Sequence, residues 1–560
     1  MIRKEFPRHH TLAAISVGLL GLSNILSAWL LYHPARMIWL RQYLTGSVLR
    51  GSWLSNIVAG SVQLFLSWSL ARRKRQAWGI VVIMLLVATG SNLLRGLHYG
   101  MAAINLILLL ILLALRSEFT AASDPPSVRH GLAIFVGTTL FTCLYGLLGF
   151  YLLDKHFHQF FSIPEALRQT MAYLAWLSTP ELARPNRLAK WFLDSLAIIQ
   201  MGGLVYGLGM VLRPVVYRRT VLLTERKRAA AIVQKYGRSS LVHLTLLPDK
   251  VYYFSQSGES FVAYTVIGNV AVILGDPVGP QEDIPHLVTE FTAFCNRNDW
   301  YPAFYQVLPD FLAVYQAHGY KTLKIGEEAV VDLPTFTLAG KSRKSLRQTV
   351  NRMERKGYIT ELYFPPLKDE ILRSLKEVSD EWLRTEKGGE KRFSLGWFDP
   401  EYIRSCPVIV VKDPAGEIQA FANIIPEYQR REGTIDLMRR RGVERGLIDF
   451  MFVRLIEYFK EKGYDTFNLG LCPLANVGEH PGAGLQERAV YFLYQNFNQL
   501  YSFKGLRQFK EKYAPRWEPR YLIYPHPLVL PKIAVAIVTA DAGGSLWSYV
   551  QAWWKKRNLV

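Results

Sequence analysis

Six long apolar stretches in the first 215 residues limit what this chain can fold into. Each approaches the ~20 residues that a helix needs to cross a bilayer. The third and fourth are short and are closely joined around Arg95 and His98. The stretches lie at 11–32, 53–71, 77–94, 99–115, 131–153 and 191–213. The sequence therefore predicts an α-helical transmembrane domain over residues 1–215, with six spans.

Basic residues around these stretches predict the orientation in the membrane. The run Arg72–Arg75 is the strongest positive cluster, and positive loops remain on the cytoplasmic side. Six spans then place both termini in the cytoplasm. The arginines of the loop 33–52 oppose this orientation, and the basic segment 218–228 outweighs them. Because no small-residue cleavage site follows the first stretch, we expect an uncleaved span rather than a signal peptide.

The charge of the chain indicates what the rest of it contacts. Half of the 560 residues are apolar, yet the formal net charge is +21. This combination suits a membrane portion joined to a basic, water-exposed portion, and the length alone predicts at least two folding units. A basic surface indicates anionic partners, either nucleic acid or lipid headgroups. The alternative is that the cations only enforce membrane topology.

Strand and helix signals alternate from about residue 216 onward. The predicted elements are strand pairs at 261–274 and 407–424, a basic helix at 342–357, an amphipathic helix at 446–463 and a strand at 464–471. Interleaved strands and helices predict an α/β or α+β unit over residues 216–525, with room for two similar subdomains. The tail at 526–560 combines an apolar run with tryptophans and lysines. It suits either the lipid headgroup zone or a buried docking helix.

Several chemistries lack their motifs in this sequence. The four cysteines are scattered and form no C-x-x-C pair, which argues against a zinc site or a disulfide framework. The sequence also contains no phosphate loop, no nucleophile elbow and no H-E-x-x-H. We therefore expect no metal and no cofactor.

Two polar clusters contain candidate substrate-binding residues. Asp276 lies in the segment GDPVG, directly after a predicted strand, where it marks a simple turn or faces a cleft. The segment 341–357 places Lys344, Arg347 and Arg355 in one cationic band. Seven cations against one acid exceed what a solvated helix face needs. Phosphate binding is therefore the better interpretation of this segment.

The segment TIDLMRRR contains the candidate catalytic residues Asp436 and Arg439. We predict that both follow a strand and precede a helix. They either pair only with each other, or act together, with Arg439 neutralising an anion and Asp436 orienting an amine or hydroxyl. The continuation RRRGVERG is similar to a loop that holds coenzyme A, but Glu444 replaces its second glycine. A negative side chain opposes pyrophosphate binding, which disfavours acyl-CoA as a substrate.

Cations alternate with aromatic residues in the segment 501–525. Its candidate binding residues are Lys504, Arg507, Lys510 and Lys512, between Tyr501, Phe503, Tyr513, Trp517 and Tyr521. Aromatic rings stack on bases while cations contact phosphates, so this pattern is typical of binding to a single-stranded nucleic-acid end. A lipid-facing or core aromatic patch is the alternative.

At these motifs the chain resembles a known family, the multiple peptide resistance factors, which are aminoacyl-phosphatidylglycerol synthases. The shared motifs are GDPVG (275–279), FSLGWFD (393–399), DLMRRR (436–441), FNLGLCPL (467–474) and the segment 501–525. The resemblance implies a tandem acetyltransferase-like domain in the cytosol, behind a helical membrane domain. It also implies that Asp436 and Arg439 lie in the catalytic cleft, with Lys510 or Lys512 nearby.

The resemblance further implies an activity. An amino acid, lysine before alanine, would pass from aminoacyl-tRNA to a glycerol hydroxyl of phosphatidylglycerol at a bacterial inner membrane. The implied partners are aminoacyl-tRNA, phosphatidylglycerol, other membrane lipids and a second copy of the chain as a homo-oligomer. We expect a short form, without the lipid-flipping helices of the longest members. Transfer to a cell-wall precursor and a non-catalytic lipid transporter are the alternatives, and the ordered cytosolic motifs favour an enzyme over a transporter.

Overall fold

The computed structural model describes most of the chain. The described residues are 9–30, 46–94, 98–122, 125–157, 159–174, 187–212, 221–341, 343–385, 390–442, 444–473 and 503–544. The chain divides into two compact units, residues 1–216 with 296–299 and residues 217–295 with 300–560. The domain limits at 215 and 525 stay predictions.

The first unit is helical. Its helices are α1 (His9–Leu30), α2 (Gly46–Ala71), α3 (Arg75–Leu94), α4 (Tyr99–Ala114), α5 (Pro125–Leu152), α6 (Asp154–Phe157), α7 (Ile163–Leu174) and α8 (Arg187–Val211). Each of the six predicted apolar stretches overlaps one of these helices. Among the described residues, four helical segments are long and apolar enough to cross a membrane: His9–Ser27, Arg75–Leu94, His130–Leu152 and Arg187–Val211. The count of six spans stays a prediction.

Small and amide side chains join the first helices of this unit. A Cβ atom on Gly21 would lie 2.7 Å from the Gly60 carbonyl oxygen, so α1 and α2 approach closely only because both residues are glycine. Beside this contact, the buried Asn24 Nδ2 donates to Gln63 Oε1 at 3.0 Å and to Asn105 Oδ1 at 3.1 Å. Amide hydrogen bonds between apolar helices stabilise their packing.

The second unit contains one mixed sheet. Its strands are β1 (Val251–Phe254), β2 (Phe261–Ile267), β3 (Val270–Leu274), β4 (Tyr301–Val307), β5 (Lys321–Asp332), β6 (Ile359–Tyr363), β7 (Val408–Lys412), β8 (Ile418–Ile425), β9 (Glu432–Arg440), β10 (Thr466–Pro473) and β11 (Arg516–Tyr524). Within the described residues the strand order is β1-β2-β3-β4-β11-β5-β10-β9-β8-β7-β6. The predicted strand pairs at 261–274 and 407–424 are confirmed.

Helices cover this sheet. They are α9 (Leu223–Tyr236), α10 (Ile284–Arg297), α11 (Leu312–Ala317), α12 (Lys344–Arg355), α13 (Asp369–Thr385), α14 (Pro400–Arg404), α15 (Leu447–Glu461), α16 (Phe503–Glu511) and α17 (Leu530–Asp541). The predicted basic helix corresponds to α12 and the predicted amphipathic helix to α15. Helix α17, in the predicted tail, buries Leu530, Ile533 and Ile537 in the core beside β3. The aromatic residues at 547–554 lie outside the described residues.

One arrangement of elements occurs twice in the sheet. In the first half, β2 and β3 are antiparallel, and α10 leads to β4, which is parallel to β3. In the second half, β8 and β9 are antiparallel, and α15 leads to β10, which is parallel to β9. This repeat is the tandem acetyltransferase-like architecture that the resemblance implied. The fold-class prediction is confirmed.

The two halves exchange their last strands. Strand β11 of the second half lies between β4 and β5 and is antiparallel to both. Strand β5 of the first half pairs with β10 of the second. A buried ion pair between Arg520 on β11 and Glu328 on β5 reinforces this exchange. Each half therefore depends on a strand of the other.

This exchange predicts that damage to β11 destabilises both halves together. Ile523 is fully buried and pairs with Phe304 of β4 and Thr322 of β5. Ile523→Asp places a charge in that core, which costs several kcal/mol. Hydrogen–deuterium exchange should show β4 of the first half and β10 of the second half losing protection together. Ile359→Asp on the exposed edge of β6 is the control, and loss of protection confined to β4 would contradict the coupling.

Candidate active site

Asp436 lies on a β-bulge in the middle of β9. Ala422 of β8 pairs with Met438 and Ile424 pairs with Ile435, so β9 contains one extra residue here. The Leu437 N–H at the bulge donates to Asn423 Oδ1 at 2.7 Å. A bulge changes the direction of side chains, and Asp436 contacts the loop 392–399.

The predicted position of the catalytic pair was wrong in one respect. Asp436 and Arg439 do not stand between a strand and a helix, because β9 runs from Glu432 to Arg440 and contains both. The arginine run looked like the end of a strand, whereas pairing with β8 extends the strand through it. The residues are three apart within one strand, and the bulge between them alters the usual alternation of side chains.

The Asp436 carboxylate accepts two hydrogen bonds. Gly396 N donates to Oδ1 at 2.9 Å, and the Tyr402 hydroxyl donates to Oδ2 at 2.8 Å. A Cβ atom on Gly396 would lie 2.0 Å from Asp436 Oδ2, so only glycine fits at this position. Burial raises the pKa of Asp436, while these hydrogen bonds and the charges of Arg439 and Lys250 oppose that rise. The carboxylate can therefore accept a proton from a nearby substrate group.

Arg439 is held on two sides. Its Nη2 donates to Glu390 Oε1 at 3.0 Å, and its guanidinium stacks 4.1 Å above the ring of Trp382. The side chain is buried, and its charge opposes the rise that burial causes in the pKa of Asp436. A guanidinium fixed by stacking and by a carboxylate is well placed to stabilise negative charge beside Asp436.

Four carboxylates hold the loop 392–399 in place. The hydrogen bonds run from Phe393 N to Asp249 (2.9 Å), Ser394 Oγ to Asp541 (2.7 Å), Gly396 N to Asp436 (2.9 Å) and Phe398 N to Glu390 (2.9 Å). The acceptors lie just before β1, on α17, on β9 and just before the loop. Burial raises the pKa of Asp541 to about 6. The loop thus joins distant parts of the chain at the candidate site.

Lys250 is a member of this site that sequence reasoning missed. Its ammonium is buried, lies 2.6 Å from Asp249 Oδ1 and is 5.3 Å from the centre of the Phe393 ring. Burial lowers the pKa of Lys250, while Asp249, Asp436 and Asp541 oppose that fall. A single lysine outside any motif gave no signal in the sequence. The motif FSLGWFD did mark the loop to which Lys250 packs.

His243 is an uncharged residue that packs against Tyr402. Its ring stacks on Tyr402 with centroids 6.2 Å apart, and Nδ1 lies 2.8 Å from the Tyr428 hydroxyl. Burial lowers the pKa of His243 to about 4. At neutral pH the imidazole is therefore uncharged, and it orients the tyrosine that donates to Asp436.

Asp276 lines a separate cavity of about 350 Å³ at the end of β3. Its carboxylate accepts hydrogen bonds from Leu308 N at 2.8 Å and from the Tyr315 hydroxyl at 3.1 Å. Burial raises the pKa of Asp276 to about 7. The residue thus belongs both to a turn and to a cavity wall, which also includes Arg238 and Thr245.

The candidate cations of α12 differ in their contacts. Lys344 is exposed. Arg347 Nη1 donates to the carbonyl oxygens of Leu338 at 2.5 Å and Gly340 at 3.2 Å, so it closes the loop before the helix. Leu346, Val350 and Met353 form the buried face of α12. Lys344 is the better placed of the two cations for an external phosphate.

The candidate cations near α16 contact protein groups. Lys510 is buried and donates to the carbonyl oxygens of Gly470 and Leu471 at 2.9 and 3.0 Å, where β10 has a bulge. Burial lowers its pKa. Lys512 pairs with Asp449 at 3.0 Å, whereas Arg507 lies 3.4 Å from Glu327 and 4.7 Å from the Trp517 ring. The Lys504 side chain lies outside the described residues. Among the described residues, no three His, Cys, Asp or Glu side chains are arranged to hold a metal ion.

Fold and site together define a class of protein, one whose mixed sheet has two acetyltransferase-like halves, on a chain with apolar helices. A family model described as "Phosphatidylglycerol lysyltransferase, C-terminal" matches residues 230–524. The chain belongs to this family, and the predicted family resemblance is confirmed.

Individual relatives agree with this assignment. A phosphatidylglycerol lysyltransferase of Bacillus subtilis is 34% identical over 470 residues, covering 83% of this chain and 52% of the relative. One from Staphylococcus epidermidis is 37% identical over 295 residues, covering 52% of this chain and 35% of the relative. The chain thus spans about half the length of the first relative and about a third of the second.

Two solved structures are similar to the second unit. The structure of L-PGS from Bacillus licheniformis is 38% identical with a TM-score of 0.53, covering 58% of this chain and 98% of that chain. The C-terminal domain of a putative lysylphosphatidylglycerol synthetase from Agrobacterium fabrum is 37% identical with a TM-score of 0.52, covering 57% and 98%.

The packing around Gly396 predicts a local effect of substitution. Gly396→Ala forces the Asp436 carboxylate away and breaks at least one hydrogen bond, at a cost of about 1–3 kcal/mol. Hydrogen–deuterium exchange should increase in the loop 392–399. Gly442→Ala is the matched control, since a Cβ atom there meets no atom within 4 Å. Equal exchange in both variants would contradict the described packing.

Proposed function

We propose that this protein transfers an aminoacyl group, lysyl by preference, from aminoacyl-tRNA to a glycerol hydroxyl of phosphatidylglycerol at the cytoplasmic face of a bacterial inner membrane. One observation carries the proposal: the Asp436 carboxylate, held by hydrogen bonds from Gly396 and Tyr402, lies on the same strand as Arg439 and within reach of its charge, in a chain of this family. The relatives' names supply the lysyl group and the lipid.

The reaction exchanges one ester for another. The lipid hydroxyl oxygen attacks the carbonyl carbon that joins the amino acid to the terminal ribose, and Asp436 takes the hydroxyl proton. The bond between the carbonyl carbon and the ribose oxygen then breaks, and Asp436 returns the proton to that oxygen. Arg439 and Lys250 stabilise the negative charge that develops on the carbonyl oxygen. Both bonds are esters, so the step needs no ATP.

The net charge and the apolar helices of the chain are consistent with the two proposed substrates. The net charge of +21 suits a polyanionic donor, and Lys344 on the exposed side of α12 is a candidate for contact with its phosphates. The apolar helices on the same chain favour a lipid acceptor over a soluble one. Asp276, Arg507, Lys510 and Lys512 then act mainly by shaping the cavities and strands around the substrates.

Reconstitution tests the proposal directly. Purified protein in phosphatidylglycerol vesicles should convert labelled lysyl-tRNA into labelled lipid without ATP, and RNase should abolish the product. Asp436→Asn should retain the melting temperature yet lose ~10²–10⁴-fold in rate, because it removes the proton acceptor. Transfer that survives RNase, or near-wild-type turnover by Asp436→Asn, would contradict the scheme. Phosphatidylethanolamine vesicles serve as the acceptor control.

The position of Lys250 predicts a change in pH dependence. Turnover should rise with pH as Asp436 loses its proton. The Lys250 ammonium favours the ionised carboxylate, so Lys250→Met should raise the pKa of Asp436 further and move the acidic limb of kcat to higher pH. Lys250→Arg keeps the positive charge, so its acidic limb should lie closer to that of the wild type. Lys376→Met, at an exposed lysine, should leave the pH profile unchanged. If the acidic limb of kcat stays in place in Lys250→Met, then Lys250 does not lower the pKa of Asp436 in the working enzyme.

A further inference from the structure

The loop 392–399 has an inner and an outer side. Its inner side contacts the candidate catalytic residue, since Gly396 N donates to Asp436 Oδ1 at 2.9 Å. On its outer side Arg392 is exposed, and 41% of the Leu395 surface is accessible. The reaction scheme above uses the inner side alone. The outer side can therefore contact a part of a substrate that does not react.

Arg392 holds a guanidinium in place on the outer side of the loop. Its Cζ lies 4.8 Å from the centre of the ring of Trp397, which is buried. A Cβ atom on Gly543 would lie 3.1 Å from Arg392 Cδ, so the side chain also passes close to the end of α17. Among the described residues, no carboxylate forms an ion pair with Arg392. A guanidinium that stacks on a ring and has no acidic partner is well suited to binding a phosphate group.

A tight turn keeps Arg392 close to the part of the loop that contacts Asp436. Leu395 N donates to Arg392 O at 3.4 Å, and such a turn keeps the two Cα atoms within ~7 Å of each other. Phe393, inside the turn, is buried and has a φ of 60°. This left-handed conformation is rare for an aromatic residue, and such strain is concentrated at functional sites.

Helix α17, to which the loop is attached, has an exposed apolar face. Arg392 N donates to Asp541 O, near the end of this helix, at 2.8 Å. Leu528 is 81% exposed and Val535 is 56% exposed, and the exposed Lys532 lies between them in sequence. Their spacing places them on one side of the chain. Apolar side chains beside a lysine are typical of a surface that contacts anionic lipid.

An anionic phospholipid matches both groups of residues. Its phosphate can bind Arg392, while its acyl chains can contact Leu395 and the exposed face of α17. The headgroup glycerol of phosphatidylglycerol has the phosphate at one end and the reacting hydroxyl at the other, so this short unit can extend from Arg392 towards Asp436. An RNA end also supplies phosphates, but it gives the exposed leucines and valine no apolar partner. The observations therefore favour the lipid.

Resting on the proposed function, we propose that the outer side of the loop 392–399 and the exposed face of α17 bind the acceptor lipid, and that Arg392 binds the phosphodiester of phosphatidylglycerol. Arg392 is then a substrate-binding residue, while Asp436 on the inner side of the loop accepts the proton. One loop thus holds the lipid phosphate and orients the carboxylate that acts on the lipid hydroxyl.

Transfer kinetics test the role of Arg392. The fraction of phosphatidylglycerol in mixed micelles is varied at saturating lysyl-tRNA. Arg392→Ala should raise the KM for the lipid about tenfold, the loss expected for one charge-assisted hydrogen bond. It should leave kcat, the KM for lysyl-tRNA and the melting temperature close to those of the wild type. Arg392→Lys should give an intermediate KM, because lysine keeps the charge but not the planar fork. Arg373→Ala, at an exposed arginine of α13, is the matched control.

Quenching by brominated lipid tests the contact itself, without the transfer reaction. A fluorophore is attached to Leu395→Cys in full-length protein that also contains Cys143→Ser, because Cys143 is partly exposed and the other cysteines are buried. The protein is placed in phosphatidylglycerol nanodiscs with brominated acyl chains. The fluorophore at position 395 should be quenched. A fluorophore on Ile359→Cys, at the exposed edge of β6, should keep its fluorescence.

Three results would overturn the inference. They are an unchanged KM for the lipid in Arg392→Ala, a raised KM for lysyl-tRNA alone, which would assign Arg392 to the RNA, and equal quenching at positions 395 and 359. Protein that is quenched at position 395, while the wild type transfers nothing to lipid, would contradict the proposed function alone. The two failures are therefore distinguishable.

Discussion

The position of β11 between β4 and β5 is the constraint on which the rest of the second unit depends. Since each half of the sheet is completed by a strand of the other, the halves form one continuous sheet. Residues distant in sequence then meet: Lys250 precedes the first strand, while Asp436 lies on the ninth. A cavity lined by the segment after β4, by β9 and by β11 exists for the same reason.

The surface and the interior of this protein carry charge in different ways. The chain is strongly basic, and exposed cations such as Lys344 face solvent, where they attract polyanions over long range. The interior holds charges of both signs. Burial raises the pKa of Asp276, Asp436 and Asp541, while Lys250, Arg439 and Arg520 are buried beside acidic groups. In the proposed reaction, the surface attracts the anionic substrates and an inner carboxylate accepts the proton.

The sequence predicted elements better than it predicted contacts. Alternating apolar residues around turns located the strand pairs at 261–274 and 407–424, and the family motifs located the loop 392–399. The bulge at Asp436 was missed because it depends on pairing with β8. Lys510 was predicted to bind substrate, yet its ammonium donates to carbonyls at the bulge of β10. Lys250 is an isolated residue that acquires its neighbours only through folding, so no local pattern marked it.

The central claim is an exchange between two esters at one site, and its reversal is the most direct measurement. Vesicles with labelled lysyl-phosphatidylglycerol are incubated with purified protein and uncharged tRNA, without ATP. The account predicts that label moves onto the tRNA at a rate that depends on Asp436. Absence of label on the tRNA, under conditions where the forward transfer proceeds, would contradict it.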